Sequence, residues 1–505
     1  MTAVSDPVGE FLELDPVRAA LVGVPVQPGV LTDYSPEGWA ARLDRLRAAS
    51  AEPDPALAER VAAESGYAEA GLAAELNLVT SPPILVHEHL AQLARDGDQA
   101  ALAAGLAAVP RALRGYARTL RAAPRPPARR QAEMVLGAVR SWAGSPEFGP
   151  TGPAEAARRA FGEFADVLER EILPTASEQD GVGPDRYRAA ARFHLGVDLD
   201  ARDCYDTLVE ELDQLRAATT ALAATLGRGT FAETCAALNT DPLWTISGAA
   251  ELRAWAQQRL DAAAAACDAL DLPARSRGLE VHVVAEAGPV RYLPPAADGT
   301  RPARVVWPMA SAEPVPVWNQ TTMLHHEGVP GHHLQLGGVR ARPQLAVAGN
   351  AEGWAVYAEG LMHQAGALAP EEELGYLTGL RLNVAMALVD LALHNGFPLP
   401  DTGQPWSLDG AAAFLAAESA FPVGSLYFTV LRSAAWPAQA ITYSWGARQW
   451  RSLRASAAAV NAREFHSRLL ALGPCGLSVL RSAAHTLASR LRKPRESHTQ
   501  AGPFG

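Results

Sequence analysis

Between His325 and His333 the chain reads HHEGVPGHH, which places four imidazoles and one carboxylate within nine residues. Histidine is the commonest metal-ligating side chain, and a glutamate directly after a ligand histidine provides a base beside the metal, as in zinc hydrolases. The stretch therefore points to a divalent metal. In the usual HExxH pattern the two ligands lie one helical turn apart. Here the position four residues after His326 is Pro330, which coordinates nothing. His332 and His333 follow at six and seven residues. In an unbroken helix they would fall on the wrong face, or about 10 Å along the axis. Gly328, Pro330 and Gly331 resolve the conflict, because proline removes a helical hydrogen bond and glycine tolerates sharp backbone turns. The spacing predicts a broken helix that brings His332 back towards His326.

A third ligand is available in NAEGWAVYAEGL, where Glu352 lies twenty residues beyond His332. Two histidines and one carboxylate leave a coordination position open for water. Glu327, beside a ligand but not one itself, is then the candidate general base. Glu359 lies seven residues after Glu352 on nearly the same helical face and is the second choice for a ligand. Zinc suits this donor set, and Fe2+ or Mn2+ suits it as well.

Three segments in fixed order, HEGVPGHHLQ, EGWAVYAEGL and PAQAITYSWG, resemble the bacterial domain of unknown function 885, a family of the zincin-type peptidase clan. Weaker echoes extend the likeness over essentially the whole chain, among them YLPPAADGTRP, DLALHNG and FHSRLLALG. The resemblance implies a zinc site made by His326, Glu352 and one histidine of the GHH element, with Glu327 as base. It leaves His332 and His333 as alternatives, with His332 favoured. It also implies that Tyr443 stands near the oxyanion formed during amide cleavage, where a phenol stabilises developing charge. The chain departs from the family pattern at Met386 and Ala392, at Thr429 and Ser433 around a retained Arg432, and at Ala438 in place of a glycine. An intact metal motif with altered surroundings implies an unusual substrate.

Asp390 and His394 are four residues apart, so on a helix they face the same way. They are candidates to orient a ligand histidine or to hold the polar end of a substrate. His325 is expected to be second to the metal or to face solvent.

The elements that must position these groups are mostly helical. The first 275 residues are rich in alanine and leucine between Pro and Gly breaks, and ARDCYDTLVEELDQLRAATTALAATLG from Ala201 repeats apolar positions every three or four residues. LEVHVV from Leu279 and ARVVWPM from Ala303 are β-branched runs around the turn PPAADGTRP, which predicts a small hairpin or sheet beside the metal helix. The expected architecture is a large, mainly α, zincin-like body with a deep cleft. An N-terminal helical half, 1–275, faces a catalytic half, 276–492, or the two form one continuous domain. A disordered tail, 493–505, completes the chain.

The net charge of −11 over 505 residues argues against a nucleic-acid partner. Four separated cysteines, Cys204, Cys235, Cys267 and Cys475, give no CxxC pairing, so reduced core residues are expected. The first residues lack a signal-peptide pattern and no apolar run is long enough for a membrane span, so cytoplasmic residence is expected. The leading expectation is a zinc-dependent hydrolase that cleaves an amide in a peptide or peptide-like small molecule. The alternatives are a metal-dependent tailoring enzyme of specialised metabolism and a catalytically silent binding protein.

Overall fold

The computed structural model describes residues 12–492 apart from 25, 50–52, 271, 273–277, 287, 296–300, 312 and 338–341. The tail expected to be disordered, 493–505, lies outside the described residues.

The protein is mainly helical, with two small sheets. Many helices start where an N-cap side chain precedes proline. Ser35 caps Pro36–Ala48 and Asp54 caps Pro55–Glu69, each accepting a backbone N–H of the first turn while proline sits where no donor is needed. Ala201–Leu226, predicted from its periodicity, starts on Asp200 and ends at Gly227, whose φ of 66° is the left-handed conformation that glycine adopts without strain. Two main cores form. One runs from Val17 to Ile172 in the N-terminal helices, and the larger one gathers residues from Tyr67 to Leu487. The division expected near residue 275 falls inside the larger core, so helices on both sides of it bury the same apolar surface. All four cysteines are free and buried.

The β-branched runs become β2 (Leu279–Val284) and β4 (Ala303–Pro308), but their pairing differs from the expected hairpin. They run parallel, Leu279 opposite Ala303. The hairpin partner of β4 is instead β3 (Arg291–Leu293), with Tyr292 opposite Val305, in the sheet order β2-β4-β3. The PPAADGTRP turn joins β3 to β4. The segment before it leaves room for the chain to cross from β2.

A second correction concerns helix Pro370–Asn395, which is long and apolar enough to cross a bilayer, contrary to the expectation that no segment is. It packs against Ala201–Leu226, Leu408–Glu418, Val423–Ala435 and Ile441–Ser456. Its buried Glu372, Arg381, Asp390 and His394 find partners within the protein. Its apolarity is that of a core helix with neighbours on all sides.

Candidate metal centre

Helix Thr321–Glu327 stops at Gly328, and a new helix, His332–Leu336, begins after one turn of chain. The break is built by backbone. Gly331 donates its N–H to the His325 carbonyl at 2.9 Å, and a Cβ at Gly331 would stand 1.9 Å from the His326 carbonyl oxygen. No other residue fits there. The turn is held from outside by Trp354, whose indole N–H reaches the carbonyls of Pro330 at 3.0 Å and Gly331 at 3.1 Å. Trp354 belongs to helix Ala348–Gln364, which also carries Glu352 and Glu359. One helix thus fixes the turn and supplies the carboxylates.

The folded turn brings the His326 and His332 rings to 5.0 Å between centroids. Glu352 Oε2 lies 3.2 Å from His326 Nε2 and 3.7 Å from His332 Nε2. Ligands bound at about 2.0–2.1 Å around a tetrahedral ion stand about 3.3–3.4 Å from one another. Two imidazole nitrogens and a carboxylate oxygen at these separations therefore fit a divalent ion such as zinc. Among the described residues, His326, His332 and Glu352 form a group able to hold a metal. His326 Nδ1 contacts Glu359 Oε1 at 2.8 Å, and Glu359 also accepts a hydrogen bond from the Thr322 hydroxyl. A carboxylate on the far ring nitrogen fixes the tautomer that leaves Nε2 free for a metal.

The charges match that geometry. Burial works against a charged His326, yet the Glu352 and Glu359 carboxylates outweigh it and hold the imidazole well above its ordinary pKa. Burial likewise raises Glu352, and the two histidines overcome it and hold the carboxyl below the usual range. Glu327 is pushed up by burial, and its Oε2 accepts the backbone N–H of Tyr292 at 2.9 Å.

Tyr443 enters from helix Ile441–Ser456. This helix crosses Ala348–Gln364 at Gly446 and Gly353, where a Cβ on Gly353 would lie 2.5 Å from the Gly446 carbonyl carbon. Glu352 and Tyr443 flank that crossing, and the Tyr443 ring stands 6.3 Å from the His326 ring. The Glu352 charge is the first cause that raises the Tyr443 phenol, burial the second, so it keeps its proton at neutral pH. Gln439 donates to its oxygen at 3.4 Å.

Other expected site residues lie elsewhere. His333 turns to β3, with Nδ1 3.1 Å from the Tyr292 hydroxyl. His325 is buried rather than facing solvent, because it sits on the inner face of its short helix, and burial lowers its pKa to about 4. Asp390 and His394 share a face of Pro370–Asn395, as their spacing requires, but they contact neither His326 nor His332. Asp390 accepts the Tyr187 hydroxyl at 2.6 Å and the Ala438 N–H at 3.1 Å. His394 Nδ1 accepts the Val182 N–H at 3.2 Å, and Nε2 donates to the Ser433 carbonyl at 2.9 Å. Arg432 lies over Trp436, 5.2 Å from the ring centroid. Tyr292, Thr322, Trp354 and Gln439 serve the site without having been singled out in the sequence. Tyr292 acts through its backbone and Trp354 through a carbonyl pair, and neither contact leaves a residue-type signature.

The fold and site together define a mainly helical protein that gathers two histidines, three glutamates and a tyrosine around one buried point. The chain belongs to the family described as "bacterial protein of unknown function (DUF885)", whose model matches residues 16–483. No curated protein matches the chain. Among solved structures it is similar to a "putative lipoprotein" from Colwellia psychrerythraea, with 18% identity, a TM-score of 0.80, and 96% of this chain and 98% of that chain covered. It is also similar to a "putative lipoprotein of unknown function" from Shewanella oneidensis, with 14% identity, a TM-score of 0.72, and 95% and 99% covered. At these identities the likeness is one of fold.

Proposed function

We propose that the chain is a divalent-metal-dependent hydrolase, with zinc the best fit, that cleaves an amide bond in a peptide or peptide-like small molecule. The observation that carries this reading is the convergence of His326 Nε2, His332 Nε2 and Glu352 Oε2 beside the buried carboxylate of Glu327. A bound divalent ion supplies a Lewis acid and makes water acidic enough to react near neutral pH.

The chain's own groups divide the remaining work. Glu327 takes a proton from the attacking water and returns it to the departing amine. Its burial makes it a stronger base than a solvated carboxylate, and the Tyr292 N–H fixes its direction. Tyr443 donates its phenolic proton in a hydrogen bond to the carbonyl oxygen as negative charge develops there. Glu359 and Thr322 keep the His326 ring in one orientation. The strongly negative net charge supports a small-molecule substrate over nucleic acid.

The test is Glu327→Gln, assayed on a panel of peptides and peptide-like amides. Metal content should stay at the wild-type level while turnover falls by about 10²-fold or more, the range for loss of a general base. Undiminished turnover in this variant would contradict the reading.

A further inference from the structure

Arg432 stands apart from the other arginines near the site. Arg18 and Arg60 share Glu64, Arg186 pairs with Glu75, and Arg381 pairs with Glu418. Arg432 is half-buried in the last turn of Val423–Ala435, and among the described residues it has no hydrogen bond or ion pair to an acid. Partly burying a cation without a counter-ion is costly unless an anion arrives from outside.

The acids within reach of its charge are already committed. Asp390 is fully buried and used by Tyr187 and Ala438, and Glu352 is held between His326 and His332. The Arg432 charge nevertheless acts on the Tyr443 phenol, so the guanidinium belongs to the electrostatics of the metal centre. Its surroundings suit a ligand. The guanidinium lies over the Trp436 indole, a stacking arrangement that leaves the donor fork available for bidentate contact with a carboxylate. Against the same indole, 5.6 Å away and edge-on, lies the buried His194 ring, whose Nε2 has no partner. One turn before Arg432, on the same helical face, Phe428 is 59% exposed.

We propose that Arg432, braced on Trp436, binds a carboxylate of the substrate, so that the molecule cleaved is an acid-bearing peptide or peptide-like amide with an apolar group beside the acid. The proposal rests on the hydrolase reading for the word substrate. The carboxylate has two chemical sources, a free C-terminus or an acidic side chain.

The experiment is calorimetric titration of the purified, zinc-loaded protein with three probes. These are N-acetyl-diphenylalanine as the free acid, its C-terminal amide, and N-acetyl-phenylalanyl-glutamic acid as the C-terminal amide with a free side-chain acid. Wild type should bind at least one acid about tenfold or more tightly than the neutral amide, as charge-assisted hydrogen bonds allow. Preference for the first probe assigns the C-terminal source, and preference for the third assigns the side chain. In Arg432→Gln the preference should vanish while affinity for the neutral amide is retained, which also shows that the variant is folded. Arg432→Lys should restore part of it. Equal affinities for acids and amide in wild type, including no binding of any probe, overturn the proposal, as does a preference that survives Arg432→Gln. Binding and cleavage are separate readouts. An Arg432-dependent preference in a protein that cleaves none of the probes keeps the anion site and counts against the hydrolase. Cleavage without preference does the reverse.

Discussion

Two buried groupings of histidine and carboxylate lie close together in sequence and differ in where their polar atoms are directed. In the first, His326 Nε2, His332 Nε2 and Glu352 Oε2 converge on one another. In the second, Asp390 and His394 are 0% and 1% exposed, and their polar atoms are taken by Tyr187, Ala438, Val182 and Ser433. The first has donor atoms left for a metal. The second is a strut that ties Pro370–Asn395 to the chain at Ala438, just before the helix that carries Tyr443. Residue types alone do not separate a site from a brace. The test is whether the polar atoms meet one another or are used up by the neighbouring backbone.

The comparison can be broken from either side. Glu359→Gln removes the carboxylate that orients His326, and zinc affinity, read by competition with a chelator, should fall about 10–100-fold. An unchanged affinity would mean that Glu359 plays no part in presenting the imidazole. Asp390→Asn should leave zinc affinity at the wild-type value and act on stability instead. Burial raises the Asp390 pKa to about 7, opposed by its hydrogen bonds from Tyr187 and Ala438. The unfolded value is near 3.9, so between those two pH values the folded state holds the extra proton. Wild-type unfolding free energy should therefore decline as pH rises through that window, by at most about 1.4 kcal/mol per pH unit from this group. Urea melts from pH 4 to 8 should show a shallower decline in Asp390→Asn, and an identical slope in both proteins would remove Asp390 as its source.

Much of the first grouping was legible in the sequence. Four histidines around Gly-Val-Pro-Gly forced a broken helix, because Pro330 occupies the position that a second ligand needs, and the acidic helix downstream supplied Glu352. The spacing left His332 and His333 open, since that choice depends on how the turn closes, and the closure is made by Trp354 and the backbone of Gly331. The Asp390 and His394 spacing gave their shared face correctly but not their partners, which come from residues 187, 182, 433 and 438. Ala438 connects the two levels. The family pattern carries glycine there, and the structure gives the physical reason in its φ of 62°, a conformation that costs an alanine roughly 1 kcal/mol or more. The sheet was read as a hairpin between the wrong strands because β3 spans only Arg291–Leu293, too short to produce an alternating pattern.

The most direct measurement is the metal content of the purified protein by elemental analysis, in wild type and in His326→Ala, Glu352→Ala and Asp390→Asn. About one divalent ion per chain, lost in the first two variants and kept in the third, is the predicted result. Metal-free wild type that takes up no zinc, iron or manganese, or metal retained without His326 and Glu352, would contradict the account.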